Sequence, residues 1–476
     1  MKIVGWGSRK YKKLSWNFKF SDGTFLGRKA IKMRGIANDP SLMREKLATE
    51  VYKSVGVPVQ EGAYARLFIN GDTYGLYLMN DSFNKRWIGA YIHGNEDASI
   101  GISYKMDSST PDGPYADFRY LGTNYKKYTE EGCYEVDSFN DEIIDKKDYK
   151  TLYQPLIDFT KLYSDWVNTY KNDKSDEAVK ALQKFLDIDA VLRLMVVDTL
   201  ILPLDNFWLI SGNTALYYNS ERNNYNLIPY DFDQSLVGSW DTRYLNPTNY
   251  IKDCGTWANY DESLYEHYFT NNLLAHPLIR NRYDTILAEA TRSTFDSNVV
   301  AEFLQNVHDL IQEDALWNFN AVNTLNIPYK GKVKSFTLKE FERSLNYKHN
   351  GNEIRSEYEL WEYVDVRSGY CRAYTEHYAE TGSLSVYNGK LMKRAQKTYE
   401  FKVVSILGEG RNLGVKYKNT VVKLNPSPFP LFTGSVSASN IDTYKYVVID
   451  KNKKVIEEES FTRTYTGEKI NEVYNR

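Results

Sequence analysis

The sequence predicts an α+β domain followed by a small all-β module, and three observations carry that reading. Residues 1–35 and 63–79 alternate apolar and polar side chains around turn signals, the mark of strands. From about 153 to 380 the apolar residues recur mostly at helical spacing. Beyond about 381 the period of two returns, broken by Gly, Pro and Asn, and helix signals stop.

Composition narrows the function classes. The chain has 476 residues, enough for roughly three domains. It is 42% hydrophobic and 26% charged, as ordinary globular chains are. Sixty basic residues against 62 acidic ones leave a net charge of −2, with none of the basic excess of a nucleic-acid-binding protein. No apolar run approaches the ~18–20 residues of a membrane span. Three cysteines (Cys133, Cys254, Cys371) form no CxxC pair and the six histidines form no HExxH. A disulfide scaffold and a cysteine-ligated zinc site are therefore both disfavoured. Forty tyrosines lift the aromatic share to 15%. That suits secreted surfaces and carbohydrate contact, but an AT-rich genome is the plainer reading. Residues 1–8 lack the apolar stretch of a secretory signal. The reading is a cytosolic chain, or one whose N-terminus is not the natural one.

Taken in order, Ser15–Phe20 alternates, Ser21-Asp22-Gly23 turns, and Lys29–Arg34 alternates again. A helix follows, with Asp39 as N-cap and Pro40 at its first position. Met43, Leu47, Val51 and Val55 form its stripe, and Gly56-Val57-Pro58 ends it. Ala63–Asn70 and Thr73–Met79 form a hairpin around Asn70-Gly71-Asp72. Residues 101–150 read as turn-rich and polar. Helices are predicted at 153–170 and 176–202, then a strand pair within 207–230 joined by a turn at 219–224. Residues 234–262 read as irregular. Helices return at 277–295, 299–316, 338–346 and 356–378. Alternation at Phe401–Leu407, Gly414–Leu424 and Tyr444–Val455 predicts a β-sandwich-like module over 398–476, behind a linker at 381–397. A small β-rich part with one helix, then a longer α-rich part, is the order of a bilobal kinase-like domain. The small lobe would be about 1–105 and the larger one about 106–380.

The densest chemistry lies at 205–235. Asp231 and Asp233 flank Phe232 at the end of an apolar strand, and alternation puts both carboxylates on one side. Converging carboxylates repel unless they hold a hard cation such as Mg²⁺. Phosphoryl transfer needs that cation on the nucleotide phosphates, an Asp for the acceptor hydroxyl, and commonly an Asn as a further ligand. Asp205 and Asn213 supply those types, eight residues apart, where protein kinases space them by five. The plainer alternative is that Asp231-Phe232-Asp233 caps a turn and that Asp205-Asn206 is another turn.

These segments resemble the CotH family of atypical, secreted-type protein kinases, and its fungal branch most. Ile31-Lys32-Met33-Arg34 with Arg44-Glu45-Lys46-Leu47 resembles the family's first helix region. Val57-Pro58 with Ala65–Gly71 and Gly75-Leu76-Tyr77 resembles its NG hairpin. Asp205, Asn213 and Asp231-Phe232-Asp233 resemble its active-site run, over a likeness covering about 1–380. The resemblance implies Asp205 as the catalytic-type Asp, and Asp231, Asp233 and Asn213 as ligands of Mg²⁺ or Mn²⁺. It implies ATP as cofactor, with Gly5, Gly7 and Ser8 in a phosphate-side turn. Lys13 would follow as a phosphate neutraliser, and Glu50 would be a helix partner for a lysine, although Glu45 matches the family better. Lys105 matches a bacterial Leu-Tyr-Lys pattern. The implied function is phosphate transfer from ATP to Ser or Thr of secreted or coat proteins. The alternative is a non-catalytic adhesin that binds a host surface receptor. Either implies a secreted or cell- or spore-surface location. In fungal members the β-module precedes the kinase-like domain, whereas here it follows. The reading is a slice of a tandem array or a gene-model fragment, with the first strands of the small lobe missing.

Overall fold

A computed structural model describes residues 1–5, 7–109, 112–236, 247–257, 266–325, 336–345, 358–381 and 397–474, apart from 419, 429, 439–440, 442, 453 and 466–469. The chain divides into two units, 1–391 and 392–476. The expected linker at 381–397 lies almost wholly outside the described residues.

The first unit opens with β1 (Lys2–Val4), β2 (Ser15–Lys19) and β3 (Ala30–Arg34), then α1 (Arg44–Ser54), β4 (Gly62–Ile69) and β5 (Asp72–Asp81). These strands make one antiparallel sheet in the order β1-β2-β3-β5-β4. Alternation along β3 decides what the sheet offers. Ile31 and Met33 pack into an apolar layer with Tyr77, Trp16 and Phe18 on one face. Lys32 and Arg34 therefore project from the other. The β4–β5 turn takes Asn70 and Gly71 through positive φ (54° and 88°), as a two-residue hairpin of this type needs.

The helix start differs from expectation. α1 begins at Arg44 and not at Pro40, because Leu42 has φ 58° and interrupts any helix there. Asp39 still serves the helix end. Its carboxylate accepts from the Ser41 N–H and from the Arg44 N–H, each at 2.8 Å. α1 then buries Leu47, Ala48, Val51 and Tyr52 in a core continuous with that of the helices further along the chain.

The stretch read as turn-rich holds more order than its polarity suggested. After α2 (Lys85–Ile92) come β6 (Ile102–Met106), α3 (Tyr125–Glu130) and β7 (Tyr134–Ser138). α4 (Tyr149–Tyr170), α5 (Asp176–Gln183) and α6 (Ile188–Ile201) follow, then β8 (Thr214–Asn219) and β9 (Asn224–Pro229). β6 and β7 join β8 and β9 in an antiparallel sheet, β7-β6-β8-β9. The helix expected over 176–202 is two, because Asp187 accepts from the Ala190 N–H and caps α6 afresh. Residues 207–213 form turns between α6 and β8 and not a strand. The rest of the unit is α7 (Pro247–Lys252), α8 (Tyr268–Ala275), α9 (Pro277–Arg292), α10 (Ser297–Thr324), α11 (Leu338–Arg343), α12 (Leu360–Tyr374) and α13 (Glu376–Thr381). α7 lies within the stretch read as irregular, part of which falls outside the described residues.

Two of the three cysteines are joined: Cys254, just beyond α7, is bonded to Cys371 of α12. The sequence pattern had argued only against a disulfide scaffold, and a single buried bridge is not one. One turn earlier on α12, buried Arg367 donates to the carbonyls of Thr199, Ile251 and Asp253 at 3.0 Å each. The 250–254 segment is thus held twice from one helix.

The second unit contains β10 (Lys397–Val404), β11 (Asn412–Tyr417), β12 (Thr420–Lys423), β13 (Asn425–Pro426), β14 (Leu431–Ala438), β15 (Thr443–Ile449), β16 (Val455–Glu458), β17 (Arg463–Thr464) and β18 (Ile470–Val473). One sheet runs β13-β14-β10-β18 and the other β12-β11-β15-β16. Phe401, Val403, Leu413, Val415, Phe432 and Tyr446 from both sheets share one core. β18 lies parallel to β10, the one parallel ladder among the described strands of this unit.

Candidate functional site

Arg34 organises the site. It stands at the end of β3 on the face opposite the apolar layer, with its side chain 7% exposed. Its Nε donates to Glu45 Oε2 of α1 at 2.9 Å. Its Nη1 donates to Asp231 Oδ2 at 2.7 Å, and its Nη2 donates to Asp231 Oδ1. Asp233 Oδ2 lies 3.5 Å from the same guanidinium. Lys32, two residues back on β3, reaches Asp231 Oδ2 at 3.2 Å. Glu45 is held in turn by the Asn80 amide at 2.9 Å. One planar cation therefore joins a strand, a helix and the Asp-Phe-Asp segment that follows β9. Arginine suits this role because its fork of donors can serve two carboxylates at once.

The Asp-Phe-Asp segment is placed by its neighbours. Asp231 has φ 62°, a left-handed turn that ends the β9 run. Phe232 is buried, its ring 4.7 Å from that of Tyr52 on α1. The Tyr52 hydroxyl donates to Asp198 on α6. The Asn38 amide donates to the Asp233 carbonyl at 3.2 Å. Side chains of Asp231 and Asp233 stay 23% and 18% exposed, so the carboxylates meet solvent.

Asp205 sits in the turns after α6. Its Oδ1 is buried and accepts no hydrogen bond among the described residues. Burial, with Asp233 and Asp231 adding, pushes its carboxyl well above the usual range. Burial and Asp231 likewise raise Asp233. Asp231 goes the other way: burial would raise it, but Arg34 and Lys32 outweigh burial and hold it far below the usual range. The three carboxyls thus lie within electrostatic reach of one another: Arg34 and Lys32 prevail at Asp231, while burial and the neighbouring carboxylates prevail at Asp205 and Asp233. Among the described residues no three His, Cys, Asp or Glu side chains come together as a ready metal cage. Mg²⁺ seldom uses such a cage, taking one or two carboxylates with substrate phosphates completing its shell. An unpartnered buried carboxyl oxygen beside two accessible carboxylates fits that pattern.

The other residues singled out in the sequence divide. Asn213 comes to the site by its backbone: its carbonyl accepts from the Tyr230 N–H at 3.0 Å, next to Asp231. Lys105 pairs with Asp137 and lies 5.8 Å from the ring of Tyr230, at the margin of the same group. Between β1 and β2, Gly5 has φ 93°, and Gly7 and Ser8 open a turn of 3-10 helix (Gly7–Lys10) in which the Ser8 carbonyl accepts from the Tyr11 N–H. Tyr11 brings that loop near the site: burial raises its phenol, and Asp233 adds to the shift. Lys13 is buried elsewhere. Its ammonium donates to the Leu76 carbonyl and to Asn318 Oδ1 of α10, the latter at 2.6 Å, and burial lowers it to about 7. Glu50 pairs with Lys46 at 2.7 Å, and the α1 carboxylate that reaches the aspartates through Arg34 is Glu45.

Four contributors were given no role at the site by sequence reasoning. Lys32 and Arg34 were legible as the polar half of an alternating strand and as part of a family-like segment. Asn206 and Tyr230 lie within the 205–235 run, beside residues that were given roles.

With this geometry in view, the likeness to known proteins becomes informative. The family described as CotH kinase protein matches residues 1–360, and the chain belongs to that family. It is 24% identical over 313 residues to Invasin CotH3 of Rhizopus delemar, which covers 65% of this chain and 48% of that protein. Spore coat protein homolog 1 of the same fungus is 24% identical over 314 residues, 64% of this chain and 46% of that protein. Inner spore coat protein H of Bacillus subtilis is 25% identical over 234 residues, 47% of this chain and 55% of that protein. The chain spans about half the length of the curated relatives it matches. The resemblance drawn from the motifs holds, and the fungal relatives match a longer stretch of the chain than the bacterial one.

Proposed function

We propose that this member of the CotH family transfers phosphate from ATP to a Ser or Thr hydroxyl of a secreted or coat protein. The observation that carries the reading is Arg34 of β3, bound at once to Glu45 of α1 and to Asp231 after β9. Protein kinases join a β3 cation to a helix glutamate and set both beside a metal-binding Asp in the same way. The two sheets and the helical part would then act as the two lobes of a kinase-like domain.

In this reading Asp231 and Asp233 hold Mg²⁺ or Mn²⁺, which when bound would neutralise charge on the nucleotide phosphates. Arg34 keeps Asp231 ionised and aimed. Asp205 accepts the proton of the acceptor hydroxyl or orients it, with a buried carboxyl oxygen that is unpartnered among the described residues. Phe232 against Tyr52 keeps α1, and hence Glu45, in step with the aspartates. Nucleotide binding with and without Mg²⁺, followed by transfer to a Ser- and Lys-rich peptide, tests the proposal. Absence of Mg²⁺-dependent binding and of transfer would rule it out.

A second reading is favoured by the relatives called invasins: a host-surface ligand on the same fold, exported and displayed. The Cys254–Cys371 bridge supports export, since such bonds persist in oxidising compartments. Host-cell adhesion that survives Asp231→Asn would support this reading over the first.

A further inference from the structure

We propose that Asn206 is a positioning residue: its side-chain amide fixes the turn bearing Asp205 to the strand end bearing Asp231. What is positioned rests on the phosphoryl-transfer reading; how it is positioned rests on geometry alone.

Asn206 is fully buried. Its amide nitrogen spends both hydrogens on backbone carbonyls, Tyr230 at 2.9 Å and Asn213 at 3.3 Å. Tyr230 in turn donates its N–H to the Asn213 carbonyl at 3.0 Å. The Asn206 carbonyl accepts from the N–H groups of Ile210 and Gly212, each at 3.3 Å. One residue therefore ties three stretches: 205–206, 210–213 and 230. Asp205 shares a peptide bond with it, and Asp231 follows the carbonyl it holds.

The backbone it holds is strained. Ser211, Asn213 and Asp231 have φ of 50°, 38° and 62°, all left-handed and none glycine. Such residues persist where surrounding bonds over-determine them. Gly212 adds a second constraint, because any Cβ there would run into the Asp205 carbonyl. The turn is thus packed against Asp205 on one side and pinned to Tyr230 on the other. Aspartate at 206 has the size of asparagine but lacks the two donors, and would face the Tyr230 and Asn213 carbonyls with oxygen.

Asn206→Asp and Asn206→Ser, two routes to loss of the amide, are compared with wild type and with Tyr163→Phe. That control removes a buried hydrogen bond to Phe269, made by a helix residue outside this turn. Amide hydrogen exchange at 230–232, with no nucleotide present, should speed up by about tenfold relative to the control, matching loss of two hydrogen bonds. ATP binding in Mg²⁺ should weaken by a similar factor while Mg²⁺-free binding barely changes. If one variant fails to fold, the other carries both measurements. Exchange at 230–232 and Mg²⁺-dependent binding that match those of Tyr163→Phe would overturn the proposal and leave Asn206 a merely structural residue. Accelerated exchange in a protein whose wild type binds no nucleotide would uphold the tie and sink the phosphoryl-transfer reading instead.

Discussion

Arg34 and Asp231 are 197 residues apart in sequence and joined by a guanidinium–carboxylate contact at 2.7 Å. The same guanidinium holds Glu45, so removing it strands two or three acidic groups together. Arg34→Met should cost about 3–5 kcal/mol, the range for breaking a buried ion pair from one side. Arg66→Met is the contrast, since its pair with Asp314 is exposed and should be worth less than about 1 kcal/mol. Denaturant unfolding of both variants checks the difference.

Acid should undo the same pair. Asp231 is held far below its ordinary range by Arg34 and Lys32 against the opposing effect of burial. Its contribution to stability is therefore full above the unfolded carboxylate range near ~4 and is lost as pH falls toward the folded value. Arg34→Met removes the main cause. The stability gap between wild type and variant should accordingly narrow as pH drops below ~4. A gap that stays constant from pH 7 to pH 2 would contradict the assignment.

Asp198 should respond in the opposite sense. Burial raises it to about 8, and Tyr52 donates to it. Between pH 4 and 8 the folded state keeps a proton that the unfolded state releases. Stability from this group is present below the unfolded value and falls as pH rises toward 8. Asp198→Asn keeps the acceptor without titrating. It should melt higher than wild type at pH 7.5, with the advantage growing by at most ~1.4 kcal/mol per pH unit over that window. Equal melting at pH 5 and pH 7.5 would show that Asp198 does not keep its proton.

The Cys254–Cys371 bridge closes a separation of 117 residues. Both cysteines are buried, so the bond acts as a brace that reductant reaches slowly. Cys371→Ser should lower stability by about 2–4 kcal/mol. Melting of wild type should drop in reductant only after prolonged exposure, and the variant should show no such drop.

How much of this was legible in the sequence follows from what periodicity can carry. The β3 alternation and the NG hairpin were readable because each needs only local residues. Asp231-Phe232-Asp233 was readable because two acids around an aromatic at a strand end are rare without a purpose. The start of α1 was misjudged because Asp39 and Pro40 are good capping residues, and nothing local signals that Leu42 adopts a left-handed turn. β6 and β7 were missed because five residues each are too short to show a period among turn signals, and β6 gains its other partner from β8, far along the chain. Lys13 looked like a phosphate ligand for its charge and its place after a glycine turn. Its actual partners, Leu76 and Asn318, lie 63 and 305 residues away, beyond any local pattern.

Asp205 and Asp231 should separate in their effects if phosphoryl transfer is the function. Among the described residues Asp205 has a buried oxygen without a partner and makes no ion pair, whereas Asp231 is clasped by Arg34 and Lys32. An acceptor-side residue does not touch the nucleotide. Asp205→Asn should therefore cut the rate by about 10²–10⁴-fold and leave ATP affinity nearly intact. Asp231→Asn removes a metal-side charge and should weaken Mg²⁺-dependent ATP binding and rate together. It also leaves Arg34 with less to hold, so melting temperatures are read alongside to separate loss of fold from loss of function. If both residues only cap turns, each change would cost about 0.5–2 kcal/mol and leave nucleotide binding alone. Transfer that survives Asp205→Asn would move the acceptor-side role to Asp233, the other carboxyl raised above its usual range in this group.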